Sequence, residues 1–332
     1  MLTALYFGFD FSEASETLEY DDEQEGINDE IVIKFSHVVA ENTPKARAAR
    51  KFASLVETRS NGEIKVEIYA NGSLYNDQNE YAALKEGHIE MIAPATSKMT
   101  AHDPGWQVLD LPYAFSTYDD VKKAYEGELG DRLFDHLDSD IRGMTYWYNG
   151  FKQITNDKRP LLLPEDFKRT HFRIMPSPMI QTQFKALGAS TSEIPFNKTY
   201  SNLEVGFIDG QENTASNIFS KKLYEEQKYM TISNHGYLGY VVLMNNDFWE
   251  GLSKEHQMII TNALDETTAW VWRHAIEMND SHLRQMKRMD FMEIHYLSNE
   301  QKERWKKKFK SIYQNTDISQ SLMEELKRIQ EK

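Results

Sequence analysis

Ile31-Val32-Ile33-Lys34-Phe35 is an apolar, β-branched run of strand length, and the signals just after it decide the fold. Thr43-Pro44 marks a helix start: the hydroxyl can cap free backbone N–H groups, and proline sits where its missing N–H costs nothing. Asn61-Gly62 closes that helix, and Ile64, Val66 and Ile68 then alternate as a second strand. Strand, helix and strand at this spacing make a βαβ unit, which predicts an α/β fold on a largely parallel sheet.

The chain has 332 residues, enough for two lobes that each bury a core of their own. Its 38 basic and 52 acidic side chains give a net charge of -14, which disfavours nucleic acid and anionic lipid as partners. An anionic ligand would need a local exception to that field. Cysteine is absent, which removes disulfides, thiol nucleophiles and thiolate metal sites and fits exported and cytosolic proteins alike. Met1 to Phe9 is mostly apolar and too short to span a bilayer, and an acidic stretch from Glu13 to Glu30 comes next. Residues 1–30 therefore read as the remnant of an export signal or anchor with a disordered spacer, or else as an artificial addition.

A weak internal repeat supports two similar lobes. Tyr81, Leu84, Gly87 and Ile89 recur at the spacing of Tyr200, Leu203, Gly206 and Ile208, each time as helix end, glycine cap and short strand. Polar stretches come after both copies, Ala95-Thr96-Ser97-Lys98 and Gln211-Glu212-Asn213, at the strand ends where open α/β sheets place ligands. From Ser253 onward the chain reads mainly as helix, with an apolar stripe of Ile259, Ile260, Leu264, Trp270, Trp272 and Ile276. Either one long helix crosses both lobes as a spine, or these are ordinary packing helices. Ser298 with Gln301 predicts a capping box for a further helix.

The familiar catalytic signatures are missing: no G-x-S-x-G elbow, no Walker loop, no G-x-G-x-x-G and no H-E-x-x-H. No cofactor and no metal site is expected. His37 and His235 are the two histidines worth naming, though a lone histidine is more often packed than functional. The remaining polar groups suit the holding of carboxylates. Arg173, in His171-Phe172-Arg173-Ile174-Met175-Pro176-Ser177, is a permanent charge within an apolar strand, and such a charge needs an anionic partner. Lys98, Lys152, Asn149, Asn213 and Asn217 fall near predicted strand ends or loops and supply point charges and amides for the rest of an acid. For each lysine the competing reading is a solvated surface charge.

Several longer motifs carry a resemblance. Phe35-Ser36-His37-Val38-Val39-Ala40-Glu41-Asn42-Thr43-Pro44-Lys45, Leu109-Asp110-Leu111-Pro112-Tyr113-Ala114-Phe115, Asn149-Gly150-Phe151-Lys152-Gln153, Ile208-Asp209-Gly210-Gln211-Glu212-Asn213 and Asn234-His235-Gly236-Tyr237-Leu238-Gly239-Tyr240 resemble the extracytoplasmic solute-binding subunit of TRAP transporters. Within that family the chain is most similar to the C4-dicarboxylate-binding, DctP-like group, particularly the version found in Bacillus. The resemblance implies a two-lobe, periplasmic-binding-protein-like α/β fold with a cleft, crossing strands and a long lobe-spanning C-terminal helix. On it, lobe I comprises 31–149 and 238–277, and lobe II comprises 150–237 and 278–332. By similarity Arg173 is the carboxylate-clamping arginine, with Ser177 in the retained Pro-Ser turn, and Asn213 is its companion. Lys152, Lys98 and His37 transfer more weakly. One departure is Met175, where the family pattern Ile-Gln-Pro-Ser has a glutamine.

The resemblance further implies an extracytoplasmic, monomeric receptor, periplasmic or tethered to the cell surface. It would capture succinate, fumarate or malate and deliver it to a TRAP membrane permease. A sensor kinase is a further expected partner. The rivals are a receptor for a keto acid, monocarboxylate or sugar acid, and an enzyme on dicarboxylates with His37 or His235 as base.

Overall fold

The computed structural model describes residues 30–314 and 316–331, so the expectation for 1–30 lies outside the described residues except for Glu30. Among the described residues, eleven strands form two sheets. The first contains β1 (Ile31–Ser36), β2 (Ile64–Tyr69), β3 (Met91–Ile92), β4 (Ile141–Phe151) and β10 (Tyr237–Asn245), in the order β2-β1-β3-β10-β4. The second contains β5 (Gln153–Asn156), β6 (His171–Ile174), β7 (Ser190–Glu193), β8 (Gly210–Asn213), β9 (Tyr229–Ile232) and β11 (Glu293–Tyr296), in the order β11-β9-β5-β8-β6-β7. The helices are α1 (Pro44–Arg59), α2 (Glu80–Lys85), α3 (Tyr118–Tyr125), α4 (Glu128–Phe134), α5 (Pro178–Leu187), α6 (Thr199–Glu204), α7 (Ala215–Ser220), α8 (Asn246–Gly251), α9 (Lys254–Met289), α10 (Asn299–Gln314) and α11 (Gln320–Gln330).

The βαβ opening is as expected. Thr43 caps α1, its side chain accepting from the Ala46 N–H, and β1 pairs in parallel with both β2 and β3. The repeat is present too: Gly87 and Gly206 both take left-handed φ, 72° and 67°, and turn the chain toward β3 and β8. β8 pairs in parallel with β6 as β3 does with β1.

The sheets are less parallel than expected, and the crossing strands are why. β4 leaves the first sheet at Phe151 and resumes in the second as β5 at Gln153, while β9 leaves the second sheet and returns to the first as β10. A strand that crosses keeps its direction, so the two crossings pair antiparallel throughout: β4 with β10 in one sheet, β5 with β9 in the other. All nine residues of β10 are buried.

The spine is one helix. α9 runs for 36 residues from its Ser253 cap, about 54 Å at 1.5 Å per residue. Its buried face is built from the small and branched residues Ile260, Ala263, Leu264, Thr267, Val271 and Ala275, together with Met278, with Trp270, Trp272 and Ile276 half-buried at its flanks. Asn279 joins both lobes: its Nδ2 donates to the Asn149 backbone at 3.0 Å, and its Oδ1 accepts from the Ser216 N–H at 2.9 Å. The stretch 278–332, expected to belong wholly to lobe II, divides. α10, capped by the Ser298–Gln301 box, packs on α5, whereas α11 packs on α3 and α4 beside the first sheet.

Gly239, in mid-β10 beside a register shift, faces the Tyr125 ring, which is stacked on Tyr146 at 4.7 Å. A Cβ there would meet that ring at 2.6 Å. Gly239→Ala is expected to lower stability by about 1–3 kcal/mol, read as a lower urea midpoint at unchanged m-value. An unchanged midpoint would mean that the ring gives way.

Candidate functional site

Arg173 is the third residue of β6, between Phe172 and Ile174, which are wholly buried. Pairing with β7 and β8 holds its backbone from both sides, and the side chain is 1% exposed. Its Nε donates to the Ile194 carbonyl at 2.8 Å, and the guanidinium lies 5.7 Å over the Phe196 ring. One terminal nitrogen, Nη2, is buried without a hydrogen-bond partner among the described residues. Burial lowers the pKa of the group, and Asp77 and Glu212 oppose that shift. An unpaired donor in such a place costs about 1–3 kcal/mol, more for a charged group.

That guanidinium faces a cavity between the lobes enclosing about 310 Å³, mouth included. Arg173, Met175, Phe196, Asn213 and Asn217 line it from the second lobe, and Val38, Val39, Lys45, Asp77, Ala95, Lys98, Leu238 and Tyr240 line the rest. Asn213 ends β8, and its Oδ1 accepts from Asn217 Nδ2 at 2.8 Å and from the Thr214 N–H, which leaves its amide nitrogen to offer. Asn217 Oδ1 is buried and unpartnered among the described residues.

Lys98, in the short helical turn after β3, is paired with Asp77 and lies 3.5 Å from Glu80. Burial raises the pKa of Glu80, whereas Lys98 overcomes burial to hold Asp77 low. Lys45 is wholly buried in the first turn of α1, donating to the Ala93 carbonyl at 2.7 Å and lying 4.1 Å from the centre of the Tyr240 ring. Burial, with Lys98 adding to it, brings its pKa down to about 7.

Of the residues expected from sequence, Arg173, Asn213, Asn217 and Lys98 come together at the cavity, and five others do not line it. Asn149 is one step behind, donating to the Tyr240 hydroxyl at 2.8 Å. Lys152 sits at the strand crossing and pairs with Glu212 at 2.9 Å. His235 contacts the other oxygen of Glu212 at 2.7 Å, and burial of that carboxyl is outweighed by Lys152 and His235, which hold it down to about 2. Ser177 caps α5 and donates to Asp110, whose carboxyl pKa is raised by burial. His37 is packed edge-on against Phe35. Thus neither histidine offered as a catalytic base is in the cavity.

Sequence reasoning missed Lys45, Asp77, Phe196 and Tyr240. Lys45 alone left a signal: a cation in a helix's first turn, where the helix dipole favours acids, is placed against the local field. Among the described residues there is no metal-binding cluster of His, Cys, Asp and Glu, and no helix is long and apolar enough to cross a membrane. Chemically, the cavity offers a largely apolar-walled slot to which one lobe contributes a guanidinium and the other two lysines.

Residues 35–320 match the family model "Bacterial extracellular solute-binding protein, family 7". This chain belongs to that family. It is 48% identical over 312 residues to the C4-dicarboxylate-binding protein DctB of Bacillus subtilis, covering 94% of this chain and 89% of that protein. In structure it is similar to a TRAP periplasmic solute-binding protein of Shewanella oneidensis with bound succinate, at a TM-score of 0.87 and 36% identity, covering 90% of this chain and 99% of that one. A relative from Pseudomonas aeruginosa with bound L-malate has a TM-score of 0.83 at 33% identity, covering 86% and 99%. The family accounts for the two-lobe fold, and its members are solute receptors.

Burial, with Lys45 nearby, pushes the His37 pKa down to about 3. The native state therefore binds no proton there between about pH 6.5 and 3, while the unfolded chain does, so stability falls as pH drops through that window. The loss from this group approaches 1.4 kcal/mol per unit. Urea midpoints at pH 7 and 4.5 for the parent and His37→Gln test this: the parent's excess acid sensitivity should be smaller in the variant.

Proposed function

We propose that this chain is the extracytoplasmic receptor of a TRAP transporter and captures a C4-dicarboxylate, such as succinate, fumarate or malate, between its lobes for delivery to a membrane permease. The observation that carries the proposal is the buried guanidinium with an unpartnered nitrogen facing the cavity. A carboxylate supplies what the site lacks: two oxygens for the fork of Arg173 and an acceptor for the amide of Asn213. Lys98 and Lys45, on the first lobe, provide charge for the far end of a diacid. A monoacid leaves that end unsatisfied, which favours diacids over the keto acids and monocarboxylates that remain the rival ligands.

Closure comes from the same geometry. The ligand's near carboxylate binds a residue of one lobe and its far carboxylate binds residues of the other, so ligand and closed form stabilise each other. Expelling water strengthens both ion pairs, while lost ligand entropy and hinge work offset part of the gain. A tethered or periplasmic monomer that also presents its ligand to a sensor kinase is consistent with this receptor role. A succinate-bearing relative at over a third identity supports the ligand class.

Arg173→Lys keeps the charge and removes the fork. Calorimetric titration with succinate, fumarate, L-malate and butyrate should show the three diacids bound by the parent and butyrate not. The variant is expected to lose about 3 kcal/mol, more than a hundredfold, on the diacids. Equal succinate affinity in parent and variant would remove Arg173 from the site.

A further inference from the structure

Asp77 has a place in the cavity that neither the ligand nor the fold requires. It lies in the loop between β2 and α2, on the first lobe, and its side chain is 2% exposed. One carboxylate oxygen is paired with Lys98; the other accepts the Phe196 backbone N–H, from the second lobe, at 2.8 Å. Phe196 in turn packs with Val38, Val39 and Ala46 of the first lobe, and its ring lies under the Arg173 guanidinium. The stretch 194–196 is thus held on one side by Arg173, through the Ile194 carbonyl, and on the other by Asp77.

Of the other hydrogen bonds between the lobes, those from Ser177 to Asp110 at 2.8 Å and from Gln183 to the Asp110 carbonyl at 2.6 Å are buried and short, and the following ones are poorer. Ser220 reaches the Asn42 carbonyl at 3.4 Å and Lys221 reaches Asn71 at 3.1 Å, both exposed to water. Thr100 reaches the Pro176 carbonyl at 3.3 Å. Exposed contacts of this kind contribute little, whereas a buried carboxylate accepting a backbone N–H is among the stronger hydrogen bonds. Lys98 also has three N–H groups: Asp77 takes one, while Glu80, 3.5 Å away, has no hydrogen-bond partner on either oxygen among the described residues, so the ammonium keeps donors for the cavity.

We propose that Asp77 is the latch of the closed receptor, a positioning residue that aims Lys98 at the ligand's far end and bonds the Phe196 N–H whenever the lobes are shut, whether or not an acid is bound. A bound acid is then retained partly by a bond that it does not itself make. Because its two oxygens are occupied and Lys98 balances its charge, Asp77 does this without turning a bare carboxylate toward an anionic ligand. The inference rests on the dicarboxylate reading of the cavity for its ligand, but not for the interlobe bond.

The test uses the full chain and Asp77→Ala, which leaves no side-chain acceptor for the Phe196 N–H, with two measurements. Release of preloaded, labelled succinate into excess unlabelled succinate should be about 10- to 100-fold faster in the variant, the loss of one charge-assisted bond, while the association rate moves less than about threefold. In protein without added ligand, amide hydrogen exchange at Phe196 should be at least about tenfold faster in the variant, by the same bond. Unchanged release together with unchanged exchange overturns the latch, as does a variant that only associates more slowly. If succinate does not bind the parent at all, the ligand reading falls while exchange at Phe196 still decides the latch.

Discussion

A guanidinium that is 1% exposed and keeps one nitrogen unpartnered is the constraint on which the rest of this structure turns. Folding must take Arg173 out of water, and burial of such a charge is costly unless partners are supplied. The protein supplies one carbonyl, the face of one ring and two carboxylates at a distance, and stops short of a full set. A structural arginine would be completed internally; in the proposed reading this one is completed by the ligand. The cavity, its apolar walls and the lysines facing it make sense as the surroundings of that missing partner.

The architecture makes such a site possible by placing its halves on different bodies. Two strands cross between the sheets, and one helix of 36 residues spans both. At the crossing lies a second buried polar network, Lys152 with Glu212, His235 with Glu212, and Ser177 with Asp110. It uses the same residue types as the cavity but pairs them internally, so its charges hold the crossing together. The contrast between the two networks is what separates the proposed ligand site from a structural one: both are buried, and the cavity's lining retains an unpaired donor, Arg173 Nη2, and an unpaired acceptor, Asn217 Oδ1, among the described residues.

This contrast also explains what sequence could and could not show. Arg173 was legible because a fixed charge in an apolar strand has few explanations, and Asn213 because the repeat placed it at a strand end. Lys98 came from the same repeat. Lys152 looked equally suited to a ligand, but its partner Glu212 lies 60 residues away and is brought beside it by the antiparallel pairing of β5 with β8, which places Gln153 opposite Asn213. No local pattern encodes that pairing. Asp77 sits in a loop with no periodicity, and Tyr240 reads as one more core residue of a buried strand. The βαβ opening and the Ser298 cap were local signals and appear as expected, and of the two readings left open after Ser253 the single long helix is the one found, whereas the return of α11 to the first lobe depends on packing between distant helices.

The most direct test of the carboxylate clamp is a crystal structure of the chain with succinate. One carboxylate should be bidentate on Arg173 and hydrogen-bonded to the Asn213 amide, and the other within hydrogen-bond reach of Lys98 or Lys45. A succinate seated elsewhere, or one that leaves the unpartnered nitrogen of Arg173 unpaired, would contradict the clamp.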